Sequence, residues 1–156
     1  MNVEIESVKN PSSDGRVIFL IENLNVTLNK ITGSDGSKNA DLTDFLQEKA
    51  LFLLALRGGE AIACGGFRPL NSEICEIKRM YSLEKNTGLG SKILQELEFS
   101  AQKYGYNFVC LETRLVNTDA VNFYLKKGYK IIDNYGVYIG RPEAVCFGKS
   151  LPTHHE

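Results

Sequence analysis

The sequence predicts a mixed α/β fold: one sheet with helices on its faces. Three observations carry this. Strand-like and helix-like stretches interleave along the chain instead of segregating. Two stretches, at 14–31 and 88–104, place apolar residues at helical spacing. Between a strand-like run and the second helix stands "EKNTGLGSKILQELE" (84–98), whose glycines mark an abrupt junction.

The elements follow in order. "NVEIESV" (2–8) alternates as a first strand. "DGRVIFLIENLNVTLNKI" sets Val17, Ile21, Leu24, Leu28 and Ile31 on one helical face, with Leu20 beside them. "TGSDGSKNA" (32–40) is a polar loop, and "DLTDFLQE" (41–48) a short helix. "LFLLAL" (51–56) and "AIACGGF" (61–67) are strands around the turn "RGGE". "NSEICEIKRMYS" (71–82) is a long strand. The following helix puts Leu89, Ile93, Leu97 and Ala101 on one face. "NFVCLET" (107–113) is a strand and "NTDAVNFYLKK" (117–127) a helix, which Asn117 or Thr118 can cap and Gly128 can close. "YKIID" (129–133) and "EAVCFGKSL" (143–151) are the last strands.

A chain of 156 residues implies one domain with room for a core. Its 18 basic and 19 acidic residues give a net charge of −1, which argues against a nucleic-acid partner. The longest apolar run, "ALFLLAL" (50–56), is far short of a membrane span. The start "MNVEIESVKN" lacks the features of a signal peptide. Cys64, Cys75, Cys110 and Cys146 lie far apart among apolar neighbours, as buried free thiols in a reducing cytoplasm would. No metal is expected, since the only histidines are His154 and His155 in the tail.

The glycine loop can serve two purposes. Gly88 and Gly90 can simply make a tight strand-to-helix turn, or they can let an anion approach the free amides and positive dipole end of the helix. The nucleoside triphosphate loop is absent, because "GLGSK" does not complete it. The dinucleotide fingerprint fails too, since Ile93 stands where its third glycine belongs.

The order of motifs is more specific than any one of them. "K-x-x-G-x-G" follows "EIKRMY" and opens a helix ending "AQKYGY"; then come "LET", Asn117 and "AVNFYLKKGYK". This series resembles the GNAT N-acetyltransferase superfamily over 51–151, and by element order over 2–50. The family loop reads Q/R-x-x-G-x-G/A, so Lys85 departs from it. The loop is also short and lacks the common proline. The phosphate cradle is therefore expected from the main chain of Asn86, Thr87, Gly88, Leu89, Gly90 and Ser91 more than from Lys85.

The resemblance implies one domain over 1–156, with six to seven strands, about four helices and two splayed parallel strands. It implies acetyl-CoA as co-substrate, entering that gap and giving its acetyl group directly to a primary amine on a small molecule or peptide. Tyr124 matches the family tyrosine that protonates the departing thiolate; otherwise it is a core aromatic. Glu76 lies mid-strand with Ile74, Lys78 and Met80 as face partners. Apolar neighbours would desolvate it, raise its pKa and suit it as a general base; the alternative is an exposed glutamate paired with Lys78. Asn117 touches pantetheine or caps its helix, or both. Met80 and Tyr81 pair with the pantetheine amides through their main chain, or fill the core. Arg68, Arg79, Arg114 and Tyr138 are acceptor-site candidates, an arginine being suited to a carboxylate; salt bridges are the alternative. The rival function is an acyl-CoA-binding regulatory domain without turnover. A homodimer is left open; nucleic-acid and membrane partners are not expected.

Overall fold

The computed structural model describes residues 2–34 and 41–152. Most of the polar loop expected at 32–40, and the histidine tail, lie outside the described residues. β1 (Val3–Ser7) leads to α1 (Gly15–Thr32). The Asp14 carboxylate accepts the amides of Arg16 and Val17 and so caps α1, while Gly33 at φ 78° ends it. The expected short helix at 41–48 is instead a 3-10 turn over Leu42–Leu46. Its single turn is too short to repay α-helix nucleation, and buried Phe45 pins it by edge contact with Phe52. The α-helices among the described residues therefore number three, not four.

β2 (Leu51–Arg57) and β3 (Glu60–Pro69) form the expected hairpin, turning through Gly58 and Gly59 at positive φ. β4 (Ile74–Ser82), α2 (Leu89–Lys103), β5 (Phe108–Arg114), α3 (Thr118–Lys126), β6 (Lys130–Ile132) and β7 (Ala144–Ser150) follow. The seven strands lie in the order β1-β2-β3-β4-β5-β7-β6. Every pairing is antiparallel except β4 with β5.

Both faces of the sheet are covered. Val17, Leu20, Ile21 and Leu24 of α1 pack on Phe52, Leu54 and Cys64. Ile93, Leu97 and Ala101 of α2 pack on Leu53, Ala55, Phe67 and Ile77 across the opposite face. β2 is buried on both sides, which explains its unbroken apolar run. No helix among the described residues is long and apolar enough to cross a membrane.

Two features of β4 place the site. Its parallel pairing with β5 stops at Glu76↔Cys110, although both strands run on, so they splay at their C-terminal ends as expected. A bulge also shifts its register against β3 between Gly66↔Lys78 and Cys64↔Tyr81, with Arg79 left-handed at φ 61°. The bulge reverses the alternation. Met80 turns to the α2 face, over Gly65 and beside Ile93, and does not share a face with Glu76 and Lys78 as expected.

Candidate active site

The splay opens a cavity of about 340 Å³ at the C-terminal ends of β4 and β5, the usual ligand end of parallel strands. One wall is α1, through Leu24, Leu28 and Ile31. The others come from β4, β5, α3 and the β4–α2 loop.

The glycine loop lies at one end of this cavity. Asn86 at φ 59° and Gly88 at φ 79° turn the chain sharply from β4 into α2. Gly88 is the N-cap and supplies no side chain to the first turn. The first helical bond runs from the Lys92 amide to the Gly88 carbonyl at 3.0 Å. The amides of Leu89, Gly90 and Ser91 precede it and are the orphan donors of the helix start. A Cβ on Gly90 would meet only the Phe123 ring, at 3.5 Å, an ordinary contact. The fold therefore has no need of glycine at 90, whereas a large anion drawn up to those amides does. Lys85 stands exposed at the rim, and Thr87 is exposed. This donor set fits a diphosphate.

Tyr124 on α3 reaches the cavity from the other side. Its ring sits among Phe123, Tyr129 and Phe147, with centroids 5.0, 5.5 and 6.2 Å away. Burial pushes its phenol pKa well up, so it stays protonated at neutral pH. It is both a core aromatic and a cavity residue. Asn117 is likewise both: its Oδ1 accepts the Ala120 amide at 3.3 Å, and it lines the cavity. Met80 and Tyr81 line the stretch of β4 that β5 has left.

Glu76 is buried, at 1% exposure, but its neighbours are not apolar. Arg68 lies directly opposite on β3 and closes on Oε1 at 3.0 Å. The Tyr135 hydroxyl donates to Oε2 at 2.5 Å, and Lys78 Nζ lies 3.8 Å from Oε1. Both oxygens are committed. This corrects the apolar setting expected from the strand alone, because the cross-strand partner that decides it belongs to a different stretch of sequence. Arg68 also binds Asp44 at 2.8 Å, so it is a structural link between two carboxylates.

The remaining acceptor-site candidates divide. Arg79 is buried and bonds Asn25 of α1, yet also lines the cavity. The Tyr138 hydroxyl accepts from Lys78 Nζ at 3.2 Å inside it. Arg114 lines it beside Glu112, at 3.5 Å.

Three residues escaped the sequence reading in these roles. Tyr135 holds Glu76. Lys78 has its pKa lowered by burial, with Glu76 opposing. Glu112 lines the cavity, and its Oε2 is buried with no hydrogen-bond partner. Burial raises the Glu112 pKa, with Arg114 and Lys78 opposing. The available signal was alternation in "CLETR", which puts Glu112 two residues past the last paired residue, Cys110.

Known proteins agree with this architecture. The chain is 27% identical over 139 residues to the IAA acetyltransferase of Azospirillum brasilense, covering 86% of this chain and 90% of that protein. A GNAT-family acetyltransferase from Staphylococcus aureus superposes with a TM-score of 0.79 at 17% identity, covering 97% of this chain and all of the other. One from Elizabethkingia anophelis, with acetyl-CoA bound, gives 0.70 at 21% identity, covering 96% and 99%. At these identities the structural likeness is one of fold. Residues 21–129 match the acetyltransferase (GNAT) family, and the chain belongs to that family.

Proposed function

We propose that the protein moves the acetyl group of acetyl-CoA directly to a primary amine, with Tyr124 as acid and Glu112 as base. The observation that carries this is convergence. A protonated buried phenol and a desolvated carboxylate open on one cavity, and the loop leading into the uncapped start of α2 meets that cavity at Lys85.

Acetyl-CoA brings an activated acyl group on a thioester. The amides of Leu89, Gly90 and Ser91 hold its diphosphate, with Asn86, Thr87 and Lys85 at the edge. The main chain at Met80 and Tyr81, left without a strand neighbour on the β5 side, pairs with pantetheine. Amides around Met80 polarise the carbonyl under attack. Asn117 borders the thiol end.

An ammonium cannot attack, so a proton must leave first. Glu112 takes it, since its raised pKa and unbonded oxygen suit a base. Glu76 has neither oxygen open and instead holds Arg68, Tyr135 and Lys78 in place. As the C–N bond forms and the C–S bond breaks, the Tyr124 hydroxyl gives its proton to the sulfur. The second proton, which nitrogen loses as the amide forms, restores the phenol, and Glu112 releases the first to solvent.

The test is thiol release from acetyl-CoA with a broad amine panel: amino acids, polyamines, aminoglycosides and peptides. Turnover with any of them supports the transferase reading. A chain that binds CoA and turns over no amine is the regulatory domain instead. Binding is read from melting: at about 100 times its Kd, CoA should stabilise the fold by about 2.7 kcal/mol.

A further inference from the structure

The acceptor half of the cavity holds two opposite charges that the fold leaves incompletely used. Glu112 and Arg114 stand two residues apart on β5 and so share a face. Glu112 Oε2 and Arg114 Nη1 are 3.5 Å apart, and both atoms are buried without a hydrogen-bond partner. Glu143 lies 3.7 Å from the same nitrogen, but its side chain is 54% exposed. Arg68 closes on Asp44 at 2.8 Å and Lys149 on Glu98 at 3.1 Å, and where Lys78 stands 3.8 Å from Glu76, that carboxylate has Arg68 and Tyr135 as hydrogen-bond donors instead. Charged groups out of water normally find hydrogen bonds, and a pair held apart keeps that capacity for something else. Glu112 and Arg114 retain 13% and 19% side-chain exposure, and both line the cavity.

We propose that the acceptor is a free α-amino acid, its ammonium against Glu112 and its carboxylate against Arg114. The inference rests on the transferase reading above. An α-amino acid carries both charges on one carbon, at the spacing of an ion pair. It replaces one long contact with two short charge-assisted hydrogen bonds. An ammonium beside Glu112 is also placed to lose its proton there. Leu24, Leu28 and Ile31 of α1 line the same cavity and suit an apolar side chain. A peptide N-terminus, a carboxamide or a simple amine lacks the carboxylate and leaves Arg114 unanswered.

The test compares the common L-amino acids with their carboxamides and decarboxylated amines in acetyl-CoA thiol release. The carboxamide amine is the less basic, so more of it is neutral, and solution chemistry by itself favours it. The expected result is the reverse: kcat/KM for the amino acid exceeds that of both analogues by about 10- to 100-fold, the size of a charged hydrogen bond. An apolar amino acid should lead. Arg114→Gln should collapse this preference, and Arg114→Lys should keep part of it. Should Arg114→Gln not fold, the comparison in the parent protein still decides. Carboxamides or amines turned over as well as amino acids would overturn the inference and leave the transferase reading standing. So would turnover of polyamines, aminoglycosides or peptides with none of amino acids. No turnover of any amine overturns both.

Discussion

Tyr124 and Glu112 can be separated by what each variant does to rate and to pH dependence. Tyr124→Phe removes one hydroxyl and keeps a ring packed on Tyr129 and Phe147. Turnover should fall by about 10²–10⁴-fold with CoA affinity little changed. Full rate in this variant would remove Tyr124 as the acid. As the proposed base Glu112 must be ionised, and burial raises its pKa, so kcat/KM should climb as pH rises through that pKa. In Glu112→Gln the limb should be lost, and the defect should shrink in alkali as solvent frees the amine. Glu76→Gln should act on stability. It strips charge from a carboxylate that holds Arg68, so melting should show a loss of about 1–3 kcal/mol. That is less than for an isolated buried pair, because Arg68 keeps Asp44. A Glu76→Gln protein with parental stability, and with the pH limb abolished, would make Glu76 the base after all.

At the scale of elements, the loop before α2 and the bulge in β4 matter most. Gly90 has an ordinary backbone and room for a Cβ, so Gly90→Val should fold. Its branched side chain would crowd the amides of the helix start, and CoA should no longer shift the melting point. Retained CoA affinity would reduce the glycine to a turn. Gly66 is different. A Cβ there would lie 2.6 Å from the Leu51 carbonyl oxygen, a main-chain atom that cannot swing aside. Gly66→Ala should therefore cost about 1–3 kcal/mol in denaturant unfolding without touching the site directly. The bulge at Arg79 brings two successive residues, Lys78 and Arg79, to the cavity side and sends Met80 the other way. A left-handed arginine costs about 1–2 kcal/mol, and the gain is a splay that parallel pairing would otherwise close.

For the whole molecule, two packed faces around one sheet leave every cysteine inside. Burial pushes the thiols of Cys64, Cys75 and Cys110 up to about 12. A thiol-specific reagent should label none of the four in native protein and all four in denaturant. Rapid labelling under native conditions would mean that the sheet opens locally. The same enclosure fixes where chemistry can occur, because β4 and β5 part company only beyond Glu76.

The sequence by itself determined the element order, the hairpin and the helix-start loop, because these are short-range; the parallel pair, whose strands are separated by α2, came from the family resemblance. Alternation, helical spacing and left-handed glycines act within a few residues, and "GLG" before an amphipathic run is legible wherever it stands. It also named Tyr124, Asn117 and Arg114, which the structure brings to one cavity. Only the tertiary structure decided the surroundings of each carboxylate. Glu76 and Glu112 look alike as strand residues. Register against β3 sets Arg68 across from the first, while the splay leaves the second with an unbonded oxygen. A charge is tuned by what lies within a few ångströms of it, and in a sheet those neighbours come from other strands.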